Sequence, residues 1–232
     1  MSDFLDHLAF GIYPYIAVAI FLLGSLVRFE REQYSWRSGS SQLLRRKQLM
    51  VGSVLFHVGI LFLLVGHTVG LLTPSAIYGL VITAPQKQLL AIVSGGAAGL
   101  LCFVGLTMLL HRRLYDPRIR ATSSAADIAI LALLWVQLVL GLLTIPFSLG
   151  HLDGSVMIRL SHWAQHVVTF QGDAASHLDG VGFVFKAHIL LGLTLFVAFP
   201  FSRLVHVWSA PVTYAFRPYQ LVRRRGRNAR VA

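Results

Sequence analysis

The stretch VGSVLFHVGILFLLVGHTVGLL, from Val51 to Leu72, decides the fold. It contains no Asp, Glu, Lys or Arg. At about 1.5 Å of rise per residue, a helix of this length crosses a hydrocarbon core about 30 Å thick. Four more apolar blocks of similar length lie near 8–27, 88–110, 126–147 and 182–202. Hydrophobic residues make up 56% of the 232 and charged residues only 12%, with a mean hydropathy of +0.68. That is too little charge to solvate the surface of a soluble domain. Lipid cannot satisfy exposed backbone polar groups, so five apolar spans predict an all-α integral membrane bundle.

The basic residues set the expected topology. The net charge of +11 invites a nucleic-acid reading, but its distribution argues otherwise. Of the 20 Lys and Arg residues, 17 fall between the first and second blocks, between the third and fourth, or after the fifth. The opposite side of a five-span chain receives only Lys87, Arg159 and Lys186. This positive-inside sorting predicts an outside N-terminus and a cytoplasmic C-terminus. The chain reads as a single membrane domain, 1–232, ending in a basic cytoplasmic tail, 203–232. Residues 1–27 carry Asp3 and Asp6 but no Lys or Arg, so the first block is expected to remain as a helix rather than be cleaved as a signal. Cys102 is the sole cysteine, which excludes an internal disulfide and a Cys-x-x-Cys-His attachment site. A haem in this chain would be held by axial ligands and packing alone.

The connections are uneven. Loop 28–50 is polar enough to dock a partner. Segment 148–181 is the longest connection and is placed outside. Its run from Ser155 to Phe170 alternates apolar and polar residues as a helix lying on the membrane surface would, with Trp163 at headgroup level.

Ionisable residues at membrane depth are costly and mark function. Four of the ten histidines qualify: His57 and His67 in the second block, His188 and His206 near the two ends of the fifth. Two neutral imidazoles, one on each face of the macrocycle, form the axial ligand set of a b-type haem. The second and fifth helices run in opposite directions. Topology therefore pairs His57 with His206 as ligands of an inner haem iron, and His67 with His188 as ligands of an outer one. On a continuous helix His188 and His206 share one face about 27 Å apart, whereas His57 and His67 are about 15 Å apart and about 80° off a common face. Tilt and a bend at Pro200 are the means of reconciling these spacings. Gly52, Gly59, Gly66, Gly70 and Gly192 allow a flat macrocycle or a neighbouring helix to approach closely. Helix packing with hydrogen-bonded histidines is the plain alternative. His162 and His166 have the i, i+4 spacing of a metal pair, but no third ligand is evident in the sequence.

At this point the residues resemble a family. Ile12-Tyr-Pro-Tyr-Ile16, Phe56-His-Val-Gly-Ile60, Val65-Gly-His67 and Leu72-Thr-Pro74 are similar to segments of the gamma subunit of respiratory nitrate reductase, a membrane cytochrome b. So are Gly141-Leu-Leu-Thr-Ile-Pro-Phe-Ser148, His177-Leu-Asp-Gly180 and Phe199-Pro-Phe-Ser-Arg-Leu-Val-His-Val-Trp-Ser209. The resemblance covers nearly the whole chain. It implies two non-covalent b-type haems on the four histidines and quinol as substrate, oxidised near the outer face. It also implies a bacterial cytoplasmic (inner) membrane location. The implied partners are an iron–sulfur beta subunit and a molybdenum-containing alpha subunit that reduces nitrate. Lys87 is then the quinol-site residue, since an ammonium can hydrogen-bond a quinone oxygen. Gly66 would admit the quinol ring beside the outer haem. Lys186 and Arg203 are expected to pair with haem propionates. A haem-free transporter or anchor, and the cytochrome b of a formate dehydrogenase or hydrogenase, are the rival readings.

Overall fold

The computed structural model describes residues 2–36 and 44–209. Among these residues there is no strand. Five helices are long and apolar enough to cross a membrane: α1 (Phe4–Arg31), α2 (Arg46–Leu72), α3 (Ala84–Tyr115), α4 (Ala125–Leu149) and a fifth span, Phe183–Phe201. A sixth helix, α5 (Ser155–Val168), lies in the long connection, and the α-helical part of the last span is α6 (Phe183–Ala198). The five-span, all-α architecture expected from hydropathy is the observed one. Each of the first four helices runs a few residues past its apolar block, carrying polar residues beyond the membrane core.

Local chemistry explains where the helices begin. Thr83 and Gln86 form a reciprocal capping box at the start of α3, with Pro85 in the first turn. Ser124 and Asp127 do the same for α4. Both boxes satisfy backbone N–H groups that have no partner within the helix. α5 starts at Gly154, whose φ of +82° favours glycine and whose close approach to Ala84 leaves no room for a Cβ.

The helices pack in series: α2 on α3, α3 on α4, α4 on α6, and α6 on α1. Small residues make the first contact close. A Cβ on Gly59 would lie 2.6 Å from Cys102 Cβ, and one on Gly52 would lie 3.3 Å from Gly105 O. In lipid such close backbone approach, rather than water exclusion, drives helix association. Gly52 and Gly59 thus serve helix packing. A Cβ on Gly66 or Gly70 would meet no described heavy atom within 4 Å, so the face of α2 around His67 is open. Neither α1 nor α6 packs along α2, and His57 and His67 are both exposed on that helix.

Trp163 of α5 does not face outward, as a tryptophan at headgroup level would. Trp163 is buried with Phe10, Ala174, Leu178 and Phe185, and its indole N–H donates to Phe10 O at 3.0 Å. The alternation that suggests an interfacial helix is satisfied instead by packing against the turn at Ala174–Leu178 and the start of α1. α5 also caps α2. Gln165 donates to Leu71 O at 2.9 Å and to Thr73 O at 3.4 Å, taking up carbonyls left open at that helix end.

Candidate functional site

The continuous helix assumed for His188 and His206 does not exist. α6 ends at Ala198; a short 3-10 turn follows at Phe199–Phe201, and a second runs from Arg203 to Ser209. Proline at position 200 cannot continue the α-helical hydrogen-bond ladder. His206 therefore sits on a separate arm, so the spacing of five whole helical turns places no constraint on it. Residues 203–209 fold against the bundle, and residues 210–232 of the expected basic tail lie outside the described residues.

Several interactions hold this arm on α1. The Arg28 guanidinium donates to Pro200 O at 2.6 Å and Ser202 O at 2.9 Å, with Ser35 O a third acceptor at 2.7 Å. The Phe21 ring stacks on Trp208 at 5.2 Å and meets Phe199 edge-on at 4.7 Å. Trp208 in turn donates its indole N–H to Ser25 Oγ at 3.2 Å. A Cβ on Gly24 would come within 2.8 Å of Pro200, so the glycine permits this docking.

The arm brings the histidines together in two pairs. The ring centres of His57 and His206 are 6.4 Å apart, and those of His67 and His188 are 6.2 Å apart. Two imidazoles on opposite sides of one metal, with bonds of about 2 Å, have ring centres roughly 6.3 Å apart. The ring nitrogens are also oriented. Nδ1 of His57 lies 2.7 Å from Ser53 O, that of His67 2.7 Å from Leu63 O, that of His188 3.1 Å from Gln137 O, and that of His206 2.6 Å from Arg203 O. A carbonyl can only accept, so each Nδ1 carries the hydrogen and each Nε2 keeps its lone pair. This arrangement fixes the tautomer of a ligating imidazole from its far side. The open face of α2 and the two imidazole pairs at this spacing fit two haems, which His57 with His206 and His67 with His188 would hold.

Gly141 makes room for one of these rings: a Cβ there would be 3.0 Å from His188 Cε1. Gln137 contributes too. Its carbonyl fixes His188, and its side-chain amide donates to His188 O at 3.1 Å. A Cβ on Gly192 would lie 3.1 Å from the Gln137 amide of α4, so this glycine admits the neighbouring helix, one of the two roles expected of it.

Lys87 stands in the first turn of α3, at the end of the bundle that holds α5. It is only 7% exposed, and its Nζ has no hydrogen-bond partner among the described residues. The ammonium lies 3.9 Å from the centre of the Tyr78 ring, whose electron-rich face is its main counterpart. Neighbouring Gln88 donates to Ser148 O and His151 O, fixing this end of α3 to α4. Lys87 is thus a buried donor in want of an oxygen acceptor. Neither Tyr78 nor Gln137 stands out in the sequence, because their roles depend on neighbours from other segments.

The remaining basic candidates have carboxylate partners. Lys186 Nζ is 2.6 Å from Asp6 Oδ2. Arg203 shares the Asp127 carboxylate with Arg113, each at 3.7 Å, leaving two guanidiniums on one acid. The structure also supplies the partners that the sequence hides for His162 and His166: His177 and Asp173, brought in by the segment after α5.

Comparison with known proteins agrees with this architecture. Residues 6–225 match the family described as nitrate reductase gamma subunit. The chain is 56% identical to the respiratory nitrate reductase 1 gamma chain of Escherichia coli (strain K12), over 96% of this chain and 99% of that one. It is 38% identical to the nitrate reductase gamma chain of Bacillus subtilis (strain 168), over 94% of this chain and 98% of that one.

Proposed function

Since the chain belongs to the nitrate reductase gamma subunit family, as a membrane electron-transfer subunit of a multi-subunit oxidoreductase, we propose that it is a dihaem cytochrome b that oxidises quinol. The observation that carries this reading is the spacing and orientation of the two histidine pairs, 6.2 and 6.4 Å between ring centres. His67 and His188 hold the haem nearer the outer face; His57 and His206 hold the one nearer the cytoplasm. Bound there without covalent attachment, two b-type haems supply one-electron redox steps across the bundle. The relatives being nitrate reductase chains, the formate dehydrogenase and hydrogenase readings have no support.

Quinol binds at the outer end, beside the open face of α2 at Gly66. Lys87 donates a hydrogen bond to a quinol oxygen and stabilises negative charge there as the proton leaves. Loss of two electrons and two protons converts quinol to quinone. The protons leave on the outer side, and the electrons pass to the cytoplasmic side. There an iron–sulfur subunit docks against the arginine-rich end, loop 28–50 included, and serves a molybdenum subunit that reduces nitrate. The location is the bacterial cytoplasmic membrane.

The propionates require cationic partners. Arg203, with Arg113 beside it, presents an excess of positive charge over Asp127 at the His206 end. Lys186, paired with Asp6 at 2.6 Å, would have to share its ammonium with a propionate at the outer site. Replacing Arg203 with Ala is expected to lower the inner haem potential by roughly tens of millivolts, because a nearby positive charge favours the electron-rich form. An unchanged redox titration removes Arg203 from the site.

The deciding experiment is a reduced-minus-oxidised visible spectrum of the purified chain, with haem quantified per polypeptide. The expected result is two b-type haems. Well-folded, colourless protein would leave the transporter or anchor reading standing.

A further inference from the structure

Away from the paired histidines, at the end of the bundle capped by α5, three imidazoles and a carboxylate converge. His162 and His166 lie one turn apart on α5, His177 is in the turn Ala174–Leu178, and Asp173 immediately precedes that turn. The His166 and His177 rings are 4.2 Å apart, and His162 is 5.4 Å from His177. Single ligand atoms from His166, Asp173 and His177 all lie within 4.8 Å of one another.

Hydrogen bonding alone satisfies this cluster poorly. Nδ1 of His166 faces Asp173 Oδ1 at 2.7 Å and His177 Nε2 at 3.1 Å. It can carry one hydrogen, and one hydrogen cannot serve both acceptors fully. A cation in its place would draw all three lone pairs inward. Ligands at about 2.0–2.1 Å around a tetrahedral zinc lie roughly 3.3 Å from one another, so small shifts of the present atoms suffice.

We propose that His166, His177 and Asp173, with His162 or water as the fourth ligand, form a binding site for a divalent transition metal, Zn²⁺ being the best match. The donor set argues against hard and thiophilic cations. Calcium and magnesium take oxygen ligands in larger number, and thiophilic cations need sulfur, whereas imidazole with a single carboxylate suits zinc. The side chains of His166 and Asp173 are 23% and 61% exposed, so the site is reached from outside the bundle and its metal would be exchangeable. Its structural consequence is a clip. α5 caps the end of α2 through Gln165, and the metal ties α5 to the turn that packs over Phe10. The bound ion therefore stiffens the cover over the His67–His188 end of the bundle.

The test uses the whole complex in detergent, treated with EDTA and then dialysed against Zn²⁺ alone. Metal per complex is compared between the wild type and two variants, His177→Ala and Asp173→Ala. The second changes an exposed side chain and leaves the core untouched. The wild type is expected to hold one more Zn²⁺ than either variant and to bind it at least tenfold more tightly. Its thermal midpoint should rise on adding Zn²⁺ but not Ca²⁺ or Mg²⁺, with haem content unchanged throughout. Equal zinc content in wild type and Asp173→Ala overturns the proposal, as does a midpoint indifferent to zinc. Neither result touches the assignment of the four haem-ligand histidines.

Discussion

His188→Ala is expected to halve the haem content, from two per polypeptide to one, and to slow quinol-driven electron transfer by roughly a hundredfold or more. The His188 ring is seated against α4. Gln137 O fixes its Nδ1, and the missing Cβ of Gly141 leaves the space in which it lies. Alanine leaves His67 as a lone ligand, and a single imidazole cannot hold a six-coordinate b-type haem. The helix survives, because alanine is a strong helix former and α6 stays apolar. His67→Ala should give the same phenotype. The double variant His67→Ala/His188→Ala should be no worse than either single one, since the two side chains act as a unit. Combining His67→Ala with His57→Ala should remove both haems. Haem quantification and redox titration check all four variants, and two haems retained in either single variant would refute the pairing. If these histidines served only helix packing, the losses would follow helix stability, with no such pattern.

Much of this architecture is legible in the chain because lipid imposes simple constraints. The blocks around Val51–Leu72 and the other four spans are set by hydrocarbon thickness, and the histidines stand out because ionisable groups are rare at that depth. Their juxtaposition is less legible. Helix periodicity leaves His57 and His67 about 80° apart on one helix, and the resolution lies in where α6 stops. Pro200 signals a bend, but only tertiary contacts, Arg28 to Pro200 O and Phe21 to Trp208, decide that the arm docks on α1. Trp163 shows the opposite failure. Amphipathic alternation looks the same whether the apolar face meets lipid or a buried turn, and here it meets Phe10 and Leu178. The juxtaposition of His177 with His162 and His166 stays hidden because His177 is eleven residues beyond His166, with no fixed spacing to betray it.

The other large effect is expected at Lys87. Lys87→Ala should leave both haems in place and slow their reduction by quinol roughly tenfold to a hundredfold. This is the usual cost of losing a charge-assisted hydrogen bond of about 1.5–3 kcal/mol. The ammonium is buried and has no oxygen acceptor among the described residues, with only the Tyr78 ring 3.9 Å away. A cation–π contact offsets only part of the cost of removing a charge from water. A substrate oxygen would supply the rest, so Lys87 should matter most when quinol is bound. Tyr78 separates this role from a structural one. Tyr78→Phe keeps the ring face and should change the rate little, whereas Tyr78→Leu removes the cation's counterpart and should slow reduction by a smaller factor than Lys87→Ala. Stopped-flow reduction of the haems by a quinol analogue gives the rates. Chemical reduction of the same samples confirms that both haems remain accessible. A normal quinol rate in Lys87→Ala would leave the lysine as an interfacial side chain packed on Tyr78 and place the quinol site elsewhere along the open face of α2.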